Sequence, residues 1–369
     1  MLSAKRLVKK KVTTGDDPFW GNTKSLLENG GVTPFISNFM SSYIFGGDPT
    51  MLAKSWAADK DEEDLRQNVP LAYPSPLDED HNRQLHWVAQ YYSVHGGARA
   101  AKTYYLDTLK GFLLGLLEAE QTDRDLLEEV TERAEGMTFS EMAHALELPR
   151  FARVEDNPLR LLAEFPLPIY ITTSHHDFLE LALSRANPPK EAVSEIFYWD
   201  DSLHHIPSIY DTEPNYRPSV ERPLVYHLYG LDTYPESLVL AEEDYLDFLI
   251  KATSPDMRRL DQQTDKPRTI PANVIRALGG TALLLLGYEI YEWEFQALFR
   301  GIIRALNDSR GNNRNVAEGV AMQLRPGQDH NDPARVEAYL ARYFELSRFK
   351  VYWGDLFACT RDLWRVWKG

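Results

Sequence analysis

Residues 168–177 read Pro168-Ile169-Tyr170-Ile171-Thr172-Thr173-Ser174-His175-His176-Asp177 and continue as Phe178-Leu179-Glu180-Leu181-Ala182-Leu183. The run after the proline is short, apolar and β-branched, the pattern of a strand buried on both faces. Apolar residues then return at helical spacing. The stretch therefore predicts a strand, a polar loop and a helix, and open α/β sheets hold their ligands at such carboxyl ends. Two hydroxyls, two imidazoles and a carboxylate fall within six positions there, which makes this loop the first candidate site.

Outward from this unit, strand patterns recur at 32–36, 195–199, 224–228, 282–287, 319–323 and 349–353, with helical patterns at 176–184, 242–250, 272–278, 292–306, 333–346 and 356–367. Pro34 is tolerated near the start of its strand. Strands alternating with helices predict an α/β class protein, a Rossmann-like parallel sheet of seven strands flanked by helices, with every carboxyl end on one edge. After the first strand the pattern changes to amphipathic helices at 51–58, 84–93, 98–120 and 123–135, a helical insertion. The expected partition is a basic arm at 1–19, a Rossmann-like domain at 20–47 and 156–369, and a helical module at 48–155.

Composition narrows the function classes. A chain of 369 residues, 43% hydrophobic, buries a large core. Its net charge of −15 repels polyphosphate chains, so no direct nucleic-acid partner is expected, and the basic cluster from Lys5 to Lys11 reads as a short tail. The single cysteine, Cys359, excludes an internal disulfide and any zinc site built on paired cysteines, and fits a reducing cytoplasm. The longest apolar runs, 112–117 and 282–286, are far short of a bilayer span, so the expectation is a cytoplasmic protein with no membrane segment.

Four pieces in order carry a family resemblance: Val32-Thr33-Pro34-Phe35-Ile36; Ile171-Thr172-Thr173-Ser174-His175-His176-Asp177-Phe178-Leu179-Glu180; Tyr226-His227-Leu228-Tyr229-Gly230 with Pro235 to Leu240 and Asp244-Tyr245; and Leu286-Gly287-Tyr288 with Glu292-Trp293-Glu294-Phe295. Together they resemble the bacterial sirtuin-like family, in its anti-phage, NAD-consuming branch. The resemblance implies NAD as substrate or ligand, bound by Ser37, Asn38, Thr172, Thr173, Gly287, Tyr288, Glu292 and Gln323, with Ser174, His176, Asp177, His227 and Tyr229 at the reacting centre. It implies no zinc.

The catalytic motifs are degenerate. Active members open with Gly-Ala-Gly where this chain has Ser37-Asn38-Phe39, and Phe39 adds bulk where the backbone would approach the pyrophosphate. Ser174 and His176 replace an asparagine and an aspartate, with Asp177 placed to take the acidic role or, alternatively, to cap the next helix. Tyr229 replaces the histidine base, and a phenol near pKa ~10 is a poor base at neutrality. Strand alternation puts His227 on the face of Tyr229, although a core histidine is the simpler reading. Glu292 and Gln323 are ribose or purine candidates, and His204-His205 reads as loop surface.

Two functions follow from the resemblance. One is an NAD hydrolase effector of anti-phage defence, silent until an assembly or partner protein reshapes its site. The other is a degenerate nucleotide sensor or structural subunit of a defence complex. Protein deacylation is disfavoured by the missing base.

Overall fold

The structure, a computed structural model, describes residues 19–38, 85–119, 124–148, 156–253, 270–288, 293–299, 319–326 and 332–369. Its strands are β1 (Val32–Ile36), β2 (Ile169–Thr172), β3 (Val193–Ile196), β4 (Leu224–His227), β5 (Ala282–Leu286), β6 (Gly319–Gln323) and β7 (Phe349–Trp353). They form one sheet in the order β3-β4-β2-β1-β5-β6-β7, and every neighbouring pair is parallel. The order reverses at β1, which lies between β2 and β5, so their three carboxyl ends adjoin at the switch point where such sheets bind ligands.

Each central strand is covered on both sides. Val32, Ile36, Tyr170, Leu284 and Leu286 enter one core, and Phe35, Ile169, Ile171, Leu283 and Leu285 enter the other, the two-residue alternation of a pleated strand. The helices are α1 (Thr23–Glu28), α2 (Leu85–Gly96), α3 (Ala98–Ala119), α4 (Arg124–Arg133), α5 (Phe139–Ala145), α6 (Pro158–Glu164), α7 (Phe178–Ser184), α8 (Ile209–Thr212), α9 (Glu242–Thr253), α10 (Ala272–Gly280), α11 (Trp293–Leu298), α12 (Pro333–Glu345) and α13 (Leu356–Lys368). Leu27, Tyr105, Phe139, Leu162, Phe178 and Cys359 bring α1, α3, α5, α6, α7 and α13 into the first core. Phe248, Val274, Phe295 and Phe344 bring α9 to α12 into the second. Cys359 is fully buried, and that burial pushes its thiol pKa up.

Three sequence expectations change. β3 occupies 193–196, not 195–199: Phe197 N still donates to His227 O at 2.9 Å, but Trp199 N then turns back to Phe197 O at 3.0 Å. The aromatic run is a packed loop, with Trp199 Nε1 donating to Ser237 O at 2.8 Å. α7 begins at Phe178, not 176. Helices α5 and α6 have no counterpart among the expected elements, although Thr138 and Glu141 form a capping box and Asn157-Pro158 supplies a cap followed by a first-turn proline.

The expected helix at 51–58, Phe39 and Glu292 lie outside the described residues, as does most of the basic arm. Among the described residues no helix is long and apolar enough to cross a membrane.

Candidate functional site

The ends of β1, β2, β5 and β6 are tied to one another by side chains. Ser37, buried just past β1, donates from Oγ to Gly287 O at 2.7 Å. Thr172 Oγ1 donates to Ile36 O and receives Ser174 N, both at 3.0 Å. Thr173 Oγ1 accepts Asn38 N at 3.1 Å and meets the Tyr288 hydroxyl, also at 3.1 Å. Gln323 Nε2 donates to Tyr288 O at 2.9 Å, while the Tyr288 ring stacks on Phe295 at 5.0 Å. The predicted nucleotide contacts Ser37, Asn38, Thr172, Thr173, Gly287, Tyr288 and Gln323 therefore meet at one rim, bonded among themselves.

The loop after β2 turns its polar groups toward the helical module. The Tyr105 hydroxyl of α3 lies 3.2 Å from His175 Nδ1, and burial first of all lowers the His175 pKa to about 3. His176 is pressed on Phe178, ring centroids 4.0 Å apart, and burial lowers it likewise to about 3. Asp177 occupies the cap position of α7 without a side-chain cap bond, which corrects the capping expectation. Its Oδ1 lies 2.9 Å from His144 Nε2 of α5. Burial pushes the Asp177 carboxyl up, but His144, His176 and Ser140 outweigh it and hold the group below its usual range; the same pairing raises His144.

After β4 the expectation that His227 and Tyr229 share a face is corrected. The strand ends at His227, whose side chain faces α7, whereas Tyr229 packs edge-on against Tyr245 at 5.3 Å and Phe248 at 5.1 Å in the other core. His227 is wholly buried. Nδ1 donates to Ser174 O at 3.0 Å, and Nε2 lies 2.7 Å from Glu180 Oε1, a pairing that favours the charged ring. Burial opposes that charge, and Glu180, Ser174 and Asp177 together override it to raise the pKa. Gly230 has φ +83°, and a Cβ there would sit 2.2 Å from Ser237 O, so the sharp turn admits only glycine.

Residues 168–344 match the family model described as a SIR2-like domain. Over that segment, a little under half of the chain, it is similar to that family. A search of curated proteins finds no match. The SIR2-like segment opens at Pro168, the residue before β2, and runs into α12, so it contains the loops of Ser174, Tyr229, Gly230 and Gly287, while β1 and the helical module precede it.

Beneath the loop after β2, Ile36, Leu159, Thr172, Ser174, His176 and Leu179 line a small cavity of about 10 Å³, room for one water at most. Several groups central to this edge are invisible to motif reading. Asp232 is buried, accepts Ser140 N at Oδ2 (2.6 Å), and has no hydrogen-bond partner for Oδ1 among the described residues. Burial pushes its carboxyl up to about 6. Glu180, Ser140, His144, Tyr105 and Lys102 complete the set. An acidic residue closely following the Tyr229-Gly230 turn was the one signal available for Asp232.

Proposed function

We propose that this sirtuin-like chain takes an NAD-type nucleotide at the carboxyl edge of its sheet without cleaving it in the conformation described. It would act as a nucleotide sensor or structural subunit of a bacterial anti-phage defence complex, with 20–47 and 156–369 as the nucleotide domain and 48–155 as a helical module. One observation carries the reading: none of Tyr229, His227 and His176 stands as an effective proton acceptor. Tyr229 is an aromatic wall, both ring nitrogens of His227 are engaged by Ser174 O and Glu180, and His176, with a pKa of about 3, is too weak a base at neutrality. The motif resemblance supports the defence setting and a partner protein or second copy.

Incubation of purified protein with NAD should release no nicotinamide, while saturating NAD or ADP-ribose should raise the melting temperature; at 100-fold excess over Kd, ligand binding contributes about 2.7 kcal/mol. Nicotinamide release would end the sensor reading, and the absence of any thermal shift would end nucleotide binding. A second reading, NAD hydrolase after the edge opens, is favoured by Asp232, a buried carboxyl titrating at about 6 beside Gly230. In that case Asp232→Asn abolishes whatever nicotinamide release the protein shows.

A further inference from the structure

The polar side-chain contacts that α3 and α5 make with residues 168–344 centre on the loops after β2 and β4, with Asp244 of α9 and Trp199 after β3 beside them. Lys102 Nζ of α3 reaches Asp244 Oδ1 at 3.0 Å and Glu236 O at 3.3 Å, and lies 4.8 Å from the centre of the Trp199 ring. One turn further on, Tyr105 meets His175. From α5, Ser140 N donates to Asp232 Oδ2 and Ser140 Oγ accepts Asp177 N at 3.2 Å, while His144 pairs with Asp177. Asp232 N in turn donates to His175 O at 2.7 Å, so the loop after β2 and the loop after β4 are stitched together beneath the helices. These loops hold Ser174 and Tyr229, and the first of them borders, through Ser174 and His176, a void of about 10 Å³.

We infer that α3 and α5 form a clamp that keeps the loops 173–177 and 228–241 shut, and that loosening it governs access of an NAD-type nucleotide. The inference rests on the nucleotide-binding reading above. The clamp carries its own cost. Asp232 buries a carboxylate oxygen without a hydrogen-bond partner among the described residues, and it regains solvent when the loops part, which lowers the cost of opening. The helices themselves stay seated, since Tyr105, Leu113 and Leu117 of α3 are core residues. The loops are the moving part.

The test compares the full chain with Tyr105→Phe, which deletes one hydroxyl and keeps the ring, and with Lys102→Met. Amide hydrogen exchange is followed in 173–177 and 228–241, with β1 and β5 as internal reference, and thermal shift is read with ADP-ribose. The clamp predicts that both loops exchange about tenfold faster in the variants with the reference strands unchanged, and that half-saturation moves to lower ADP-ribose. Exchange that is unchanged, or raised equally in β1 and β5, overturns the clamp. Local loosening with identical ADP-ribose affinity in all three proteins overturns its gating role while the nucleotide reading stands. Local loosening with no ADP-ribose shift in any of them removes the nucleotide reading, and gating with it. Should Lys102→Met fail to fold, Tyr105→Phe decides alone.

Discussion

His227 exchanges one role for another at the scale of a single side chain. Its ring is spent on holding Ser174 O and Glu180, so truncation opens a buried cavity and leaves the half-buried Glu180 carboxylate with Ser194 as its remaining side-chain partner. His227→Ala should cost about 3 kcal/mol, measured by urea unfolding; a loss below 1 kcal/mol would contradict a structural role for the ring. The titrating groups around it set a pH optimum. His175 and His176, neutral in the fold down to about 3, take up protons on unfolding below pH ~6.5, so they lose stability on acidification. Asp232, protonated in the fold below about 6, opposes them by one proton between pH ~4 and 6. The net slope there is one proton, about 1.4 kcal/mol per pH unit. Above pH ~6.5 the raised His144 and His227 lose their protons and their stabilising pairing in turn. Stability should therefore peak near pH ~6.5, and Asp232→Asn should steepen the acid slope to about 2.7 kcal/mol per unit. A flat stability profile between pH 5 and 8 would refute this set of charges.

Helix α5 is only seven residues long, too short to persist by itself, yet it supplies both Ser140 and His144 to the site loops. Its capping box fixes where it starts and hence where those two residues point. Thr138→Ala should cost about 1 kcal/mol by thermal unfolding and should also speed exchange at Asp177 N, which bonds to Ser140 Oγ. Unaltered exchange at that amide would mean the cap does not position the contact. This helix was legible in the Thr138-Phe139-Ser140-Glu141 spacing, and so was α6 in Asn157-Pro158; both lie near the border of the module, where long apolar stripes dominate the pattern. The displaced β3 has a different cause. Edge strands are half exposed and read as polar, while the aromatic loop beside them reads as a strand.

For the whole molecule, the parallel sheet was readable because helical patterns fill five of the six connections between its strand patterns, and β1, β2, β6 and β7 begin and end where their apolar runs do. The rim was readable in part, since parallel strands bring Ser37, Thr173, Gly287 and Gln323 together whatever their function. What the motifs did not reveal is direction. Whether His227 looks toward the rim or toward α7, and whether Asp177 caps or pairs with His144, depends on helices that contribute no motif of their own. The clamp on the site loops is for that reason a property of tertiary packing alone.

Cys359 offers a use that its silence in function would not suggest. It is the one thiol in 369 residues, it lies under α13 against the first core, and burial keeps it protonated. Maleimide or similar probes attack the thiolate, so the native chain should resist them for as long as α13 stays docked. The rate of labelling then becomes a clock for the lifting of the terminal helix, readable at one atom without adding a reporter.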